Sequence, residues 1–495
     1  MRLENIQTVS KCYKDVIAIP IFKTALKKLD WIKDFDKQLY LEITSIMKTG
    51  DFDGEIGSVL NIYPQKGLFK RIVLIGAGTK RKFSLTVLRT IICNIDTSLQ
   101  SMRLRGYTVL IKQLTPLPEN DYCAGKACAE SLILSRFEFN NFKTKKVKKK
   151  KDLNVVFIGA SKGKFQKGLK DGKVVANNVN MTRTLVSTPS NELTPIAIAE
   201  KAKEICKNTT LKCTVFDEKK IEQLGLNGII AVGKASVNPP RFVIVEYVGT
   251  GSKKEAPIVI VGKGVSFDSG GISLKPWSGM DKMKSDMAGA GAVLGIMKSV
   301  AELKLPQRII GLIPTAENMP GANAYRPGDI IKMGSGTTVE ILSTDAEGRL
   351  LLADALYYGR ENFKPKAMID LATLTGACMV VLGNKAVAIM GNNKQLLTTF
   401  KKNAERTDER VWELPMWTEY DEMIKSDCAD IKNTGGPGAG TIMGAVFLKP
   451  FVKDVPWVHV DIANTAWQDS SGKNYLSKGA SGAGVRLVCE ILRNM

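Results

Sequence analysis

Two short runs, FVIVEYV (242–248) and PIVIVGKG (257–264), constrain this chain more than any other feature. Near-continuous apolar residues suit a strand only where both faces of its sheet are covered; a strand with one wet face would alternate. MAGAGAVLGIMKSVAEL (287–303) has helical spacing, and its small residues allow it to lie close on such a sheet. RIIGLIPT (308–315), AMIDLATLTG (367–376) and WVHVDIAN (457–464) supply further strands. Upstream, RIVLIGAG (71–78), YTVLIKQL (107–114) and LNVVFIGA (153–160) read as strands. KFSLTVLRTIICNI (82–95), YCAGKACAESLILSRFEF (122–139) and DGKVVANNVNMTRTLVS (171–187) read as helices. The alternation predicts an α/β fold, and 495 residues are too many for one ordinary core. The prolines of TPSNELTP (188–195) bar helix continuation and mark a junction. We therefore expect an N-terminal α/β domain over 1–165, a basic linker helix over 166–190 and a C-terminal α/β domain over 191–495.

The chain holds one histidine, His459, which restricts the chemistry open to it. An HExxH zinc site needs two histidines, and a Ser-His-Asp triad would need this one, which lies in a strand-like run and reads as a packed structural residue. Metal chemistry would have to use carboxylates, carbonyls, water and unusual ligands. The nine cysteines are scattered and form no CxxC pair, which suits reduced thiols in a cytoplasmic enzyme. No run approaches the ~18 apolar residues of a membrane span. The opening MRLENIQTVSKCYKDVIAIP carries Glu4 and Asp15 and is a poor secretory signal. Half of the +22 net charge falls between Lys143 and Arg183, densest in KTKKVKKKK. That run lacks interleaved aromatics and reads as a solvated connection, with nucleic-acid binding as the disfavoured alternative.

Chemistry-bearing residues gather where the apolar strands end. After Gly262 come Lys263, Asp268 and, past a glycine pair, Lys275; Asp286 follows directly before the small-residue helix. Ligands of open α/β sheets bind beyond the carboxyl ends of strands. In STDAEGRLLLADAL (343–356), Asp345 and Glu347 stand two apart, on one side of the chain if the segment is extended. Adjacent carboxylates repel unless a cation lies between them. Four carboxylates suffice to neutralise two divalent ions, and Lys263 could ligate as a neutral amine. The alternative is a buried network pairing Lys263, Lys275 and Arg349 with the acids.

NELTP, KGVSFDSGGISLK, DKMKSDMAGA, AENMP, RPGDI, STDAEGRLLLADAL and DLATLTGA occur in this order. Together they resemble the leucyl aminopeptidase family, the cytosolic metallopeptidases of family M17, densely from about residue 171 onward and in outline before it. The resemblance implies a macro-like N-terminal domain, a C-terminal dimetal peptidase domain with a mixed, largely covered sheet, and a hexamer acting on peptides with a free N-terminus. One metal site would use Lys263, Asp268, Asp286 and Glu347; a more exchangeable one would use Asp268, Glu347 and Asp345. The ions would be Mn²⁺ or Zn²⁺, with Mg²⁺ or Co²⁺ as alternatives, and would activate a shared water. Lys275 and Arg349 match the catalytic pair: Lys275 would polarise the scissile carbonyl, and Arg349 would hold a bicarbonate serving as general base. Met283, Thr373 and Gly376 match the pocket for the first substrate side chain, which an apolar floor would bias toward leucine. Ser343 stands where the family usually has asparagine, and Met443 where relatives often have a smaller residue. A two-metal phosphoesterase is the competing enzyme reading on the carboxylates alone.

Overall fold

The computed structural model describes residues 1–7, 11–25, 32–33, 37–145, 153–250, 255–469 and 475–495. The Lys148–Lys151 run falls outside them. The chain divides into two compact units, Met1–Asn177 with Ser471–Ser477, and Asn178–Ser470 with Lys478–Met495. None of the nine cysteines is in a disulfide. Among the described residues no helix is long and apolar enough to cross a membrane.

The first unit is built on strands β1 (Leu3–Ile6), β2 (Ile17–Ile21), β3 (Val59–Ile62), β4 (Ile72–Gly76), β5 (Gly106–Leu110) and β6 (Asn154–Ile158). Their order is β1-β6-β5-β2-β4-β3, with every pair parallel except β3–β4. β2, β4 and β5 are buried along their whole lengths, as expected of strands covered on both faces. Helices Leu85–Leu99 and Asp121–Leu134 contribute to the core on one face, and Lys37–Met47 to that on the other.

The helix read from residue 171 instead begins at Lys162 and runs unbroken to Ser187, just ahead of Pro189. Its first turns, KGKFQKGLK, hide their periodicity under lysines and glycines. Phe165 and Leu169, four apart, are buried, and Gly168 lies against the backbone carbonyl of Tyr122, where a Cβ has no room.

The second unit carries β7 (Leu211–Phe216), β8 (Arg241–Val248), β9 (Ile258–Gly262), β10 (Gly264–Asp268) and β11 (Arg308–Asn318). It continues with β12 (Ile330–Lys332), β13 (Thr338–Glu340), β14 (Ala367–Ala372), β15 (Val387–Gly391), β16 (Val411–Glu413), β17 (Ile431–Lys432) and β18 (Trp457–Asp461). The main sheet is mixed, in the order β16-β15-β18-β14-β9-β11-β8-β7, with β10 continuing along β11; β12, β13 and β17 form a small separate sheet. Strands β9, β14 and β18 are mutually parallel, so their carboxyl ends open on one edge. His459 lies mid-strand in β18, fully buried. Its Nδ1 is 2.6 Å from Asp370, whose other oxygen accepts the Trp457 indole N–H at 2.7 Å. Burial disfavours a charged imidazole, but the Asp370 carboxylate outweighs it and holds His459 above its ordinary value. The histidine is a packing residue, as its strand context implied.

Candidate metal centre

Three strand ends deliver the site. β9 stops at Gly262 and the next residue is Lys263, whose N–H donates to Leu371 of β14 at 3.0 Å. The chain then steps onto β11 as β10, with a register shift between Val265 and Asp268. Such irregularities bend a strand and re-aim its side chains, and here Asp268 follows directly. The 3₁₀ turn Met280–Ser285 brings Asp286 to the head of helix Ala288–Leu303. That helix sits close against the strand end, with Ala290 N–H donating to the Lys263 carbonyl at 2.8 Å. A Cβ on Gly289 would stand 2.8 Å from the Lys263 nitrogen, so only glycine permits the approach.

Residues 343–347 are not extended. A turn closed by Ala346 N–H on the Ser343 carbonyl (3.3 Å) leads straight into helix Gly348–Phe363, with Glu347 at its head. The expectation of an extended pair is corrected, although both carboxylates still reach one cavity. The helix behind them is anchored by Asp354, fully buried, which accepts N–H bonds from Gly228 (2.7 Å), Ile229 (3.2 Å) and Gly334 (3.0 Å). Burial pushes that carboxyl up to about 7, against the pull of its three donors.

Lys263, Asp268, Lys275, Met283, Asp286, Asp345, Glu347, Arg349, Thr373 and Gly376, the residues singled out from sequence, all line one cavity of about 410 Å³. Asp268, Asp286 and Glu347 can each turn an oxygen within 4.8 Å of the others. Lys263 Nζ lies 2.8 Å from Asp286 and 2.8 Å from Glu347, and donates to the Thr373 carbonyl at 2.9 Å. Lys275 Nζ is 2.8 Å from Asp268 and also pairs with Asp345. Thr373 turns its hydroxyl onto Asp286 at 2.7 Å, so its polar atoms orient that carboxylate. Met443 packs with Ile424 and Val446, and is not part of the wall.

The charges do not balance. Burial, reinforced by neighbouring carboxylates, raises Asp268 and Asp286 above the usual range, and Asp345 likewise. Burial acts against the ammonium of Lys263 and of Lys275, but the surrounding carboxylates outweigh it and hold both lysines above theirs. Two buried oxygens, Asp286 Oδ2 and Glu347 Oε1, accept no hydrogen bond; each is within ion-pair distance of Lys263 without the geometry of a bond. Four acids converging on two lysines, three of them buried together, fit divalent cations. Gly348 completes the fit, because a Cβ there would sit 2.7 Å from Lys263 Nζ and displace it.

Arg349 is buried, and burial brings its guanidinium down to about 10, partly offset by Glu347 and Asp461. It donates to the Asn433 carbonyl at 2.7 Å and keeps a buried Nε without a partner.

Several supporting residues carried no role in the sequence reading. Asn318 donates to Asp268 at 2.8 Å and to the Thr344 carbonyl at 3.1 Å, and Tyr325 donates to that same carbonyl at 2.8 Å. Asn433 donates to the Ser343 carbonyl at 2.6 Å and accepts the Leu342 N–H at 2.9 Å. Ser343 itself accepts the Asp345 N–H at 3.2 Å, so its hydroxyl has a local use. Only Asn318 had a signal, as part of AENMP; Asn433 stands in a loop without a pattern.

Known proteins resemble this chain in sequence and fold. A sequence model of the cytosol aminopeptidase family, catalytic domain, matches residues 180–489, and that of the family's N-terminal domain matches residues 18–146. The probable cytosol aminopeptidase of Geotalea uraniireducens (strain Rf4) is 43% identical over 468 residues, 93% of each chain. That of Geobacter sulfurreducens is 44% identical over 462 residues, 92% of each. Among solved structures, the bottromycin maturation enzyme BotP in complex with Mn superposes with a TM-score of 0.85 at 29% identity, covering 97% of this chain and 99% of that one. Two domain matches and relatives above 40% identity over nearly the whole length give one conclusion: the chain belongs to the cytosol aminopeptidase family, M17, of metal-dependent peptide hydrolases.

Proposed function

We propose that the protein is a dinuclear aminopeptidase that releases leucine-like residues from the free N-terminus of peptides. The observation that carries this is the group of three buried carboxylates, Asp268, Asp286 and Glu347, whose oxygens lie within 4.8 Å of one another at the strand ends. Lys263, Asp268, Asp286 and Glu347 would hold one ion, and Asp268, Glu347 and Asp345 the other. When bound, such ions acidify water and polarise a carbonyl near neutral pH. Mn²⁺ and Zn²⁺ are the favoured occupants, since a lysine and oxygen donors without histidine or thiolate accept several divalent ions. Lys263 can ligate only as the neutral amine, so its proton must leave.

Lys275, whose ammonium faces the cavity, would donate to the scissile carbonyl oxygen as negative charge develops there. Arg349, which lines the cavity, would hold bicarbonate and place it as the base that the chain's one histidine, buried within β18, does not supply. Met283, Thr373 and Gly376 would receive the first side chain, with Met283 giving the apolar contact. A homohexamer in the cytoplasm completes the proposal; DNA binding is not favoured.

The test is a panel of aminoacyl amides before and after exhaustive chelation. Leucyl and methionyl amides should be the best substrates, chelation should abolish turnover, and Mn²⁺ or Zn²⁺ should restore it. Undiminished hydrolysis by metal-stripped protein would overturn the reading.

A further inference from the structure

We propose that Trp277 is a platform for the part of a peptide substrate lying beyond the cleaved bond, giving preference to an apolar side chain at the substrate's third residue. The inference rests on the aminopeptidase reading above and concerns which peptides that site takes.

Lys275 and Met283 both line the cavity, and between them the chain makes an excursion that carries Trp277. The residue is 88% exposed, and Leu274, beside Lys275, is 62% exposed. Apolar side chains grouped at the edge of a ligand site, unlike ones scattered singly, mark contact surface, and these two stand within two residues of Lys275. The backbone beneath the ring is fixed. The Trp277 carbonyl accepts the Met280 N–H at 3.2 Å, and Gly279 completes the turn at φ 85°. Gly279 is needed there, since other residues pay for a positive φ. The indole is thus held on an ordered base without being used in the core.

Proximity to Lys275 supports a substrate as the occupant. Trp277 follows Lys275 by two residues, so its backbone lies within about 7 Å of that lysine's. An extended peptide covers a similar distance in two residues. With its scissile carbonyl opposite Lys275, its next residues pass the indole. The cavity, about 410 Å³, is at the small end of ligand sites, so a longer peptide must cross the rim. A ring there offers a large apolar area with few torsions to freeze, and it stacks well on aliphatic and aromatic side chains.

The experiment compares full-length wild type, Trp277→Ala and Trp277→Phe on leucyl amide, Leu-Gly-Gly and Leu-Gly-Phe, with kcat and KM measured separately. Wild type should show a lower KM for Leu-Gly-Phe than for Leu-Gly-Gly. Trp277→Ala should raise KM for Leu-Gly-Phe about five- to tenfold, the scale of a moderate aromatic contact, and leave kcat and leucyl amide turnover within about twofold. Trp277→Phe should recover most of the difference. Equal KM values for the two tripeptides in wild type would overturn the platform while leaving the aminopeptidase reading intact, since leucyl amide turnover reports on that separately. An equal loss on leucyl amide would show a merely structural role. A change in oligomeric state on gel filtration would make Trp277 a subunit contact. Either result also refutes the proposal.

Discussion

Replacing Glu347 with alanine is expected to empty the site of metal and lower leucyl amide turnover by more than the ~10²–10³-fold that loss of one transition-state donor costs. Glu347 is 1% exposed, belongs to the three-carboxylate cluster and is proposed to serve both ions. Removing it deletes a ligand from each ion at once, and also one of the two anions beside Lys263. Breaking a buried pair can cost ~3–5 kcal/mol, so melting temperature must be read alongside activity. Glu347→Gln, which keeps the volume and one oxygen, provides the control: a folded protein that binds metal poorly. If Glu347→Ala retained the wild-type metal content, the ligand assignment would be wrong.

Lys275→Ala should behave differently, keeping its ions while kcat falls ~10²–10³-fold, the usual loss for one donor to a developing oxyanion. The geometry separates the two lysines. Lys263 is buried among Asp286, Glu347 and the Thr373 carbonyl. The Lys275 side chain stays 22% exposed at the cavity wall, beside Asp268 and Asp345. Its charge is therefore available to a substrate, and KM for leucyl amide should change less than kcat. Loss of metal on this substitution, with retention in Glu347→Ala, would reverse the roles.

Much of this was legible in the sequence because strand ends and acids announce themselves locally. PIVIVGKG shows where β9 stops, and the acids of FDSGG and KSDMAG follow at once. What stayed hidden depends on partners distant in sequence. Asn433 pins the Ser343 turn across about ninety residues, and no local pattern can mark it. Reading 343–347 as extended failed for a related reason. Alternation of Asp345 and Glu347 looks strand-like, but the helix behind them, anchored through Asp354, forces a turn and sets Glu347 at its head. Gly348 carries no local signal of its role either, since its constraint is the Lys263 side chain passing over it.

The central claim is that this cluster holds two ions of unequal exchangeability, and counting them tests it most directly. After reconstitution with Mn²⁺ and removal of free metal, elemental mass spectrometry should find two ions per chain in the wild type. Asp345 stands outside the buried three-carboxylate group, with a side chain 40% exposed, and is proposed to serve only the second ion. Asp345→Ala should therefore retain one. A single ion in the wild type, or no loss in Asp345→Ala, would contradict the account.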